Sequence, residues 1–264
     1  MKTAETLAHN YPPSQVGEPT WELAERLYPR QGEWTMEEFL ALENRGIKYV
    51  DGCLEFPGAN TYLRNSKPGE PTWELAERGY PRQGDWTESE YFALELRGVE
   101  LVDRRLEFLP VPTIRHQDIM LFLYRVLFAL LNAGQSGKVS VSGANLLIGA
   151  KGYLEPDIVV ALGDQAKRIS ADKFEFADLV MEIVSPGEYN RRRDYEHKRA
   201  DYAAAGIAEY WIVDPQRNLI TVLALNEDKT YRTHGEFKQG ERASSVLLKD
   251  FHVDVTETLA GGLS

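Results

Sequence analysis

Three short apolar runs constrain this fold more than any other feature of the chain: "DIVVAL" from Asp157, "DLVMEIVS" from Asp178 and "EYWIVD" from Glu209. Each is rich in β-branched residues and lacks the polar alternation of a half-exposed strand. That pattern predicts strands buried on both faces. Such strands need cover on two sides, and the chain offers two helical stretches to provide it. One is amphipathic, from about Thr113 to Asn132, and is ended by Ala133 and Gly134. The other is basic, from about Asn190 to Ala205, with Gly206 as its stop. Further strands are expected at "KVSVSG" and "NLLIG", and antiparallel hairpins at "NLITVLAL", "TYRTHGEF" and "SSVLLKDF". The sum is an α/β fold, a mixed β-sheet flanked by helices.

Ahead of this region the chain repeats itself. "GEPTWELAERLYPRQGEWTMEEFLALENRGIKYVDGCLEF" starts at Gly17, and a near-identical copy starts at Gly69, 52 residues later. Two copies are too few for a solenoid. In each copy a capping box, Thr35 with Glu38 or Thr87 with Glu90, opens a helix that Gly46 or Gly98 closes, and a short hairpin follows. Four of the five tryptophans lie in these copies, where they are expected to pin helix to hairpin. "FPGANTYLRNSKPGEP" reads as the linker between copies. The expected organisation is an N-terminal segment over residues 1–68, a main domain over 69–258, and a tail over 259–264.

The longest apolar run, "IMLFLYRVLFALL", is interrupted by Arg125 and is too short to span a bilayer. The first residues lack the apolar core of a signal peptide. One cysteine, Cys53, excludes an intrachain disulfide and a multi-cysteine zinc site. A cytoplasmic protein with no membrane partner is the expectation. The net charge of −11 argues at first against nucleic acid. The acidity is uneven, however. Residues 1–110 hold 12 Lys and Arg against 20 Asp and Glu, and the rest hold 18 against 21.

Within "YLEPDIVVAL" an acidic pair brackets Pro156 at the mouth of a buried strand. Pro156 ends the preceding backbone pairing, so Asp157 can turn inward, while Glu155 is expected to stay outside. Glu182 stands inside "VMEIVSP", where a carboxylate is costly unless it has a partner. On an edge strand it would point to water. If the Asp157 and Glu182 strands are neighbours at the sheet centre, their carboxylates converge and repel, unless one holds a proton or a cation lies between them. Oxygen-only ligands favour Mg²⁺ or Mn²⁺ over zinc.

The following helix, "NRRRDYEHKRADYAAAG", spaces Asp194, Lys198 and Tyr202 by four, on one face. Arg191, Arg192, Arg193 and Arg199 add a basic patch. Taken alone, this is a solvated helix whose Asp194–Lys198 pair is worth about 0.2–0.5 kcal/mol. Beside two metal-binding carboxylates, the same cations suit phosphate. The loop "NAGQSGKVS" only mimics a phosphate-binding loop, with Asn132 in place of its first glycine and Val139 after its lysine. Ser185 lacks the glycine-rich elbow of a serine hydrolase.

The ordered set "EPDIVV", "MEIVSP" and "RRRDYEHKRADYAAAGIAEYWIVDP" resembles the PD-(D/E)xK nuclease superfamily. More closely, it is similar to the Uma-two family of restriction-endonuclease-like proteins. The resemblance begins near "GDWTESEYFALELRGVELVDRRLEF", takes in "PTIRHQDI" and runs to about Thr258. It implies a restriction-endonuclease-like fold and metal-binding roles for Asp157 and Glu182. The superfamily's lysine two residues beyond the second acid is missing, because Val184 stands there. Relatives in which a lysine from the next helix reaches the same place make Lys198 the candidate. Glu100 falls where the family often has an acid after its first helix, which implies support for a metal. The first copy has Lys48 at that position, so only the second copy supplies the acid. His116 matches a frequent family histidine, and a capping or packing role suits it equally well.

The function these residues imply is a Mg²⁺- or Mn²⁺-dependent endonuclease acting on DNA. Asp157, Glu182 and Lys198 would do the chemistry, with Asp194 and Tyr202 in support, and Arg191, Arg192, Arg193 and Arg199 on flanking phosphates. A homodimer is the simplest way to cut both strands of a duplex. The alternative is a catalytically inactive protein of the same fold that binds nucleic acid or protein, using the acidic duplicated segment as its surface.

Overall fold

The computed structural model describes residues 13–42, 46–57, 66–134, 136–171 and 173–262. Half of the expected linker, residues 58–65, lies outside them. The chain divides into two compact units: residues 1–94 with 104–106, and residues 95–103 with 107–264. The boundary expected at residue 68 falls inside the first unit, because the opening segment of the second copy packs with the first copy there. Among the described residues no helix is long and apolar enough to cross a membrane.

In the first unit, each copy opens on a short helix, Glu22–Leu27 or Trp73–Gly79. Each continues into a second, Met36–Ala41 or Glu88–Ala93, and both second helices start from the expected capping boxes. In the first copy Lys48–Val50 and Cys53–Glu55 pair as a hairpin. Trp34 packs there with Leu54, Phe39 and Tyr49.

The second unit is built on a six-stranded sheet in the order Tyr231–Lys238, Leu219–Leu225, Glu209–Asp214, Leu179–Ile183, Ile158–Leu162, Gly137–Val141. The three apolar runs occupy adjacent inner positions, as their lack of alternation requires. The Asp157 and Glu182 strands are antiparallel neighbours, with Met181 opposite Ile158. Leu179–Ile183 and Glu209–Asp214 run parallel, so a crossover must join them. Residues 188–205 supply it.

Alternation along the inner strands sends Ile158, Val160, Leu179, Met181 and Trp211 to one face, where Ile119, Leu123 and Leu127 of the helix Ile114–Asn132 cover them. Val159, Ala161, Val180 and Ile212 point the other way, against Tyr202 and Ala203 of the crossover. Burying each such aliphatic side chain contributes about 1.5–3 kcal/mol. The covering helices are therefore held by the core more than by their own propensity.

A smaller sheet sets Val99–Val102 beside Gly152–Leu154, Asn145–Leu147 and Lys173–Phe174. Gly152 has φ +125, and a Cβ there would collide with the Leu101 carbonyl oxygen. Only glycine lets these two strands approach so closely. The approach matters because Leu101 pairs with Tyr153, which sets Glu100 beside the chain leading to Asp157.

Three expectations need correction. "SSVLLKDF" is not a strand beyond Ser244; the ladder runs Arg242–Ser244 with His252–Asp254. The reason is Glu209, whose Oε2 accepts from the backbone N–H of both Val246 and Leu247 at 2.7 Å and folds the segment into a loop. The basic helix starts at Glu188, and its Arg193–Lys198 stretch is wound as a π-helix. The expected tail starts too early, since Leu259 is buried in the main core at the end of the helix Val255–Leu259.

Candidate active site

Asp157 and Glu182 lie one step beyond the Met181–Ile158 pair, on neighbouring antiparallel strands. Residues opposite one another in such a pair project from one face. That face lies under the crossover helix, and its open end is a cleft of about 200 Å³ lined by Asp157, Glu182, Lys198, Arg193 and His116 among others.

Each acid is held by named donors. Asp157 Oδ2 accepts from the Ile183 backbone N–H at 2.7 Å and lies 3.1 Å from His116 Nε2. Its Oδ1 accepts from Ser142 Oγ at 3.3 Å. Glu182 Oε1 accepts from Lys198 Nζ at 2.9 Å and from the Tyr202 hydroxyl at 2.5 Å. Lys198 Nζ also sits 2.9 Å from Glu100 Oε1, which accepts from the Glu155 N–H at 3.0 Å. Lys198 is thus a buried cation clamped between acids from two different sheets.

Val184 occupies the place where the superfamily's lysine would stand. Two residues past Glu182, it shares the face but is buried beneath the crossover helix. The cation instead descends from that helix. The π-helical turn seats Asp194 and Lys198, at 1% and 2% exposure, on its buried side together with Tyr202. Such turns often occur at functional sites.

The charges do not balance, and the pKa shifts follow. Burial disfavours charge on Lys198, yet Glu100 and Glu182 hold its pKa above the ordinary value. Burial pushes Glu182 up to about 8, with Asp157, Asp194 and Glu100 adding to the rise against Lys198. Asp194 is pushed up to about 6, mainly by burial. Burial also works against ionised Asp157, but His116, the Ile183 N–H and Lys198 together hold it below the usual carboxylate range. His116, in turn, is buried against charge and still raised, chiefly through Asp157. Of these carboxyls Glu182 is pushed up furthest, by burial and by its acidic neighbours.

The structure brings together Asp157, Glu182, Lys198, Glu100, His116, Asp194, Tyr202 and Arg193. His116 does both things its position allowed: its backbone N–H donates to the Thr113 cap, and its ring faces Asp157. The arginines do not form one patch. Arg193 lines the cleft with its Nε 3.5 Å from Asp194 Oδ1. Arg191 is half-exposed near Asp214, Arg192 is exposed against Glu196, and Arg199 donates to the Tyr231 carbonyl. The expectation that Glu155 stays outside fails. It is 7% exposed, lines the cleft, and accepts from the Gly98 N–H, and burial raises its pKa. Sequence reasoning also missed Ser142 and Arg97 in the cleft wall. Nothing local to their stretches marks them: Ser142 is set against Asp157 by its backbone N–H to the Asp157 carbonyl, and Arg97 lies in the bend before Val99–Val102.

Among the described residues, no group of three or more His, Cys, Asp or Glu is arranged to hold a metal. Two facing carboxylates remain, with a buried Glu100 Oε2 that has no hydrogen-bond partner. An all-oxygen set of this kind suits a hard divalent cation that completes its shell with water or phosphate.

The model of the family described as "Uma2: Putative restriction endonuclease" matches residues 88–256. Among solved structures, the chain is similar to a putative nuclease belonging to DUF820 from Anabaena variabilis ATCC 29413. The identity is 15%, over 66% of this chain and 98% of that one, with a TM-score of 0.52. The type IIG restriction endonuclease BpuSI aligns over 59% of this chain and 17% of its own, at 15% identity and a TM-score of 0.32. At these identities the first likeness speaks for the fold alone, and the second carries no argument. No curated protein matches.

Replacing Lys198 with methionine should cost about 3–5 kcal/mol of stability, the usual penalty for stripping one partner from a buried ion pair. Lys198 lowers the Glu182 pKa, so its loss raises that pKa further above about 8. Between pH 6 and pH 9 the deficit should then hold level up to about 8 and widen above it, where Glu182 ionises in the wild type but not in the variant. Urea unfolding across that range checks both, and a constant deficit under 1 kcal/mol would contradict the clamp.

Proposed function

We propose a reaction for this chain, which belongs to the Uma2 putative restriction endonuclease family: metal-dependent hydrolysis of DNA phosphodiester bonds at the Asp157–Glu182 cleft. The observation that carries the reading is the convergence of Asp157 and Glu182 in one cleft, with the charged Lys198 2.9 Å from Glu182. The nuclease-like fold of the family supports it.

Asp157 and Glu182 would hold Mg²⁺ or Mn²⁺, which supplies a water of lowered pKa and neutralises phosphate charge. The protein's own groups do the rest. His116 and the Ile183 N–H fix the Asp157 carboxylate from behind, leaving it ionised and oriented. Tyr202 fixes Glu182 in the same way. Lys198 stays protonated, so it acts as a positive charge facing the developing phosphate charge, not as a base. Arg193, also kept charged, contributes a second cation at the cleft wall. Arg191 and Arg192, at the exposed end of the helix, suit flanking phosphates.

A second reading has one observation in its favour. Lys198 is clamped between two carboxylates, and no third metal-ligating side chain joins Asp157 and Glu182 among the described residues. A decayed site of this kind would bind nucleic acid or protein without cutting.

Supercoiled plasmid and single-stranded DNA incubated with Mn²⁺ or Mg²⁺ separate the two readings. Wild type should nick or linearise DNA only with the cation present. Asp157→Asn, Glu182→Gln and Lys198→Met should each fall by about 10²–10³ in rate, the usual cost of one electrostatic group in a reacting site. DNA binding without cleavage by folded wild type would favour the second reading.

The raised Glu182 pKa gives a pH signature. Below about 8 the group carries a proton that a cation must displace. Mn²⁺ binding should therefore release a proton and tighten as pH rises through 8, then level off. Calorimetry in buffers of different ionisation enthalpy reads the release, and Glu182→Gln should abolish it. Proton-neutral binding by wild type at pH 7 would rule out Glu182 as a ligand.

A further inference from the structure

The two N-terminal copies do not fold side by side; each opens with an arm that docks on the other copy. The Gly69 N–H donates to the Gln31 carbonyl at 2.7 Å, and the Gln31 N–H to the Glu70 carbonyl at 2.9 Å. The equivalent pairs 52 residues away behave alike: Gly17 N–H to the Gln83 carbonyl at 2.7 Å, and Gln83 N–H to the Glu18 carbonyl at 2.9 Å. Trp34 Nε1 donates to Thr72 Oγ1 at 3.0 Å, and Trp86 Nε1 to Thr20 Oγ1 at 2.9 Å. Arg30 reaches the Gly69 carbonyl and Arg82 the Gly17 carbonyl. Leu75, from the second copy's arm, is buried in the first copy's core beside Trp34 and Leu54.

Equivalent residues also meet themselves. The hydroxyls of Tyr28 and Tyr80 are 2.8 Å apart, and the rings of Trp21 and Trp73 meet edge to face at 6.3 Å. Ala24 and Ala76 lie in one small cluster with Trp73. Reciprocal contacts about an axis on which each residue faces its own counterpart are the signature of an isologous, two-fold interface. Such interfaces form between two chains; here one chain carries both halves.

We infer that the arm of each repeat is an exchange element whose partner is a second copy of the same repeat, and that the first repeat is the built-in partner of the second. The surface it fits is defined: the backbone edge at Gln31 or Gln83, the indole N–H of Trp34 or Trp86, and the pocket that Leu75 fills. The partner chemistry is equally defined: a Gly-Glu-Pro-Thr-Trp edge followed by a short helix with leucine two residues after the tryptophan. None of these contacts uses residues 58–65, so the docking does not depend on a covalent link there.

Two measurements on the full-length chain test this. In the first, a protease site is placed within residues 58–65 and cut under native conditions. The two pieces should stay together through size-exclusion chromatography and part only in denaturant; native separation would overturn the inference. In the second, Trp34→Phe is combined with Thr72→Val or with Thr20→Val, and the urea midpoint is read. The Trp34 and Thr72 changes should be less than additive, as should Trp86→Phe with Thr20→Val. The pairs within one copy, Trp34 with Thr20 and Trp86 with Thr72, should add. Coupling confined to the within-copy pairs would show that each repeat folds on itself and would end the proposal.

Discussion

A lysine with 2% exposure, charged and shared between acids from two sheets, is the interaction on which the second unit turns. A buried charge of this kind is tolerable only when its partners are fixed before it arrives. Much of the architecture does that fixing. Glu182 is held by a parallel strand on one side and an antiparallel one on the other. Glu100 is brought in by a strand that can approach only because position 152 is glycine. The crossover helix that a parallel pair demands is the same element that lowers Lys198 onto the sheet. Connectivity and chemistry are here one constraint.

The surplus of acid is what gives the site a use. If stability alone were served, one carboxylate per cation would suffice and a hydrophobic replacement would do as well. Instead Glu182 sits with a pKa of about 8 beside an ionised Asp157 at the mouth of a cleft. Perturbed carboxyls grouped in a cleft with fixed cations are the usual physical mark of a reacting site. Tyr202, His116 and the Ile183 N–H hold the two acids, so under the proposed reading the site would need little rearrangement to receive a cation.

How much of this could be read from the sequence follows from how locally each feature is encoded. The inner strands were legible because burial on both faces leaves an unbroken apolar run, and Glu182 was conspicuous because it interrupts one. The four-residue spacing of Asp194, Lys198 and Tyr202 survived as a shared buried side, although a π-helical turn replaces the regular one. Features set by distant pairing were not legible. Glu155 enters the cleft because its backbone is tied to Glu100 and its carboxylate to the Gly98 N–H. Ser142 reaches Asp157 across a strand pair, and "SSVLLKDF" is drawn into a loop by the Glu209 carboxylate 37 residues from Val246. The arm exchange was invisible for a different reason. Near-identical copies present the same groups whether an arm docks on its own repeat or on the other, so no local signal distinguishes the two.

The most direct test of the account is the position of Mn²⁺ in crystals of the protein soaked with that ion, read by its anomalous scattering. The account predicts a peak within coordination distance of carboxylate oxygens of both Asp157 and Glu182. At saturating Mn²⁺, a cleft without such a peak, or a peak elsewhere on the molecule alone, would contradict it.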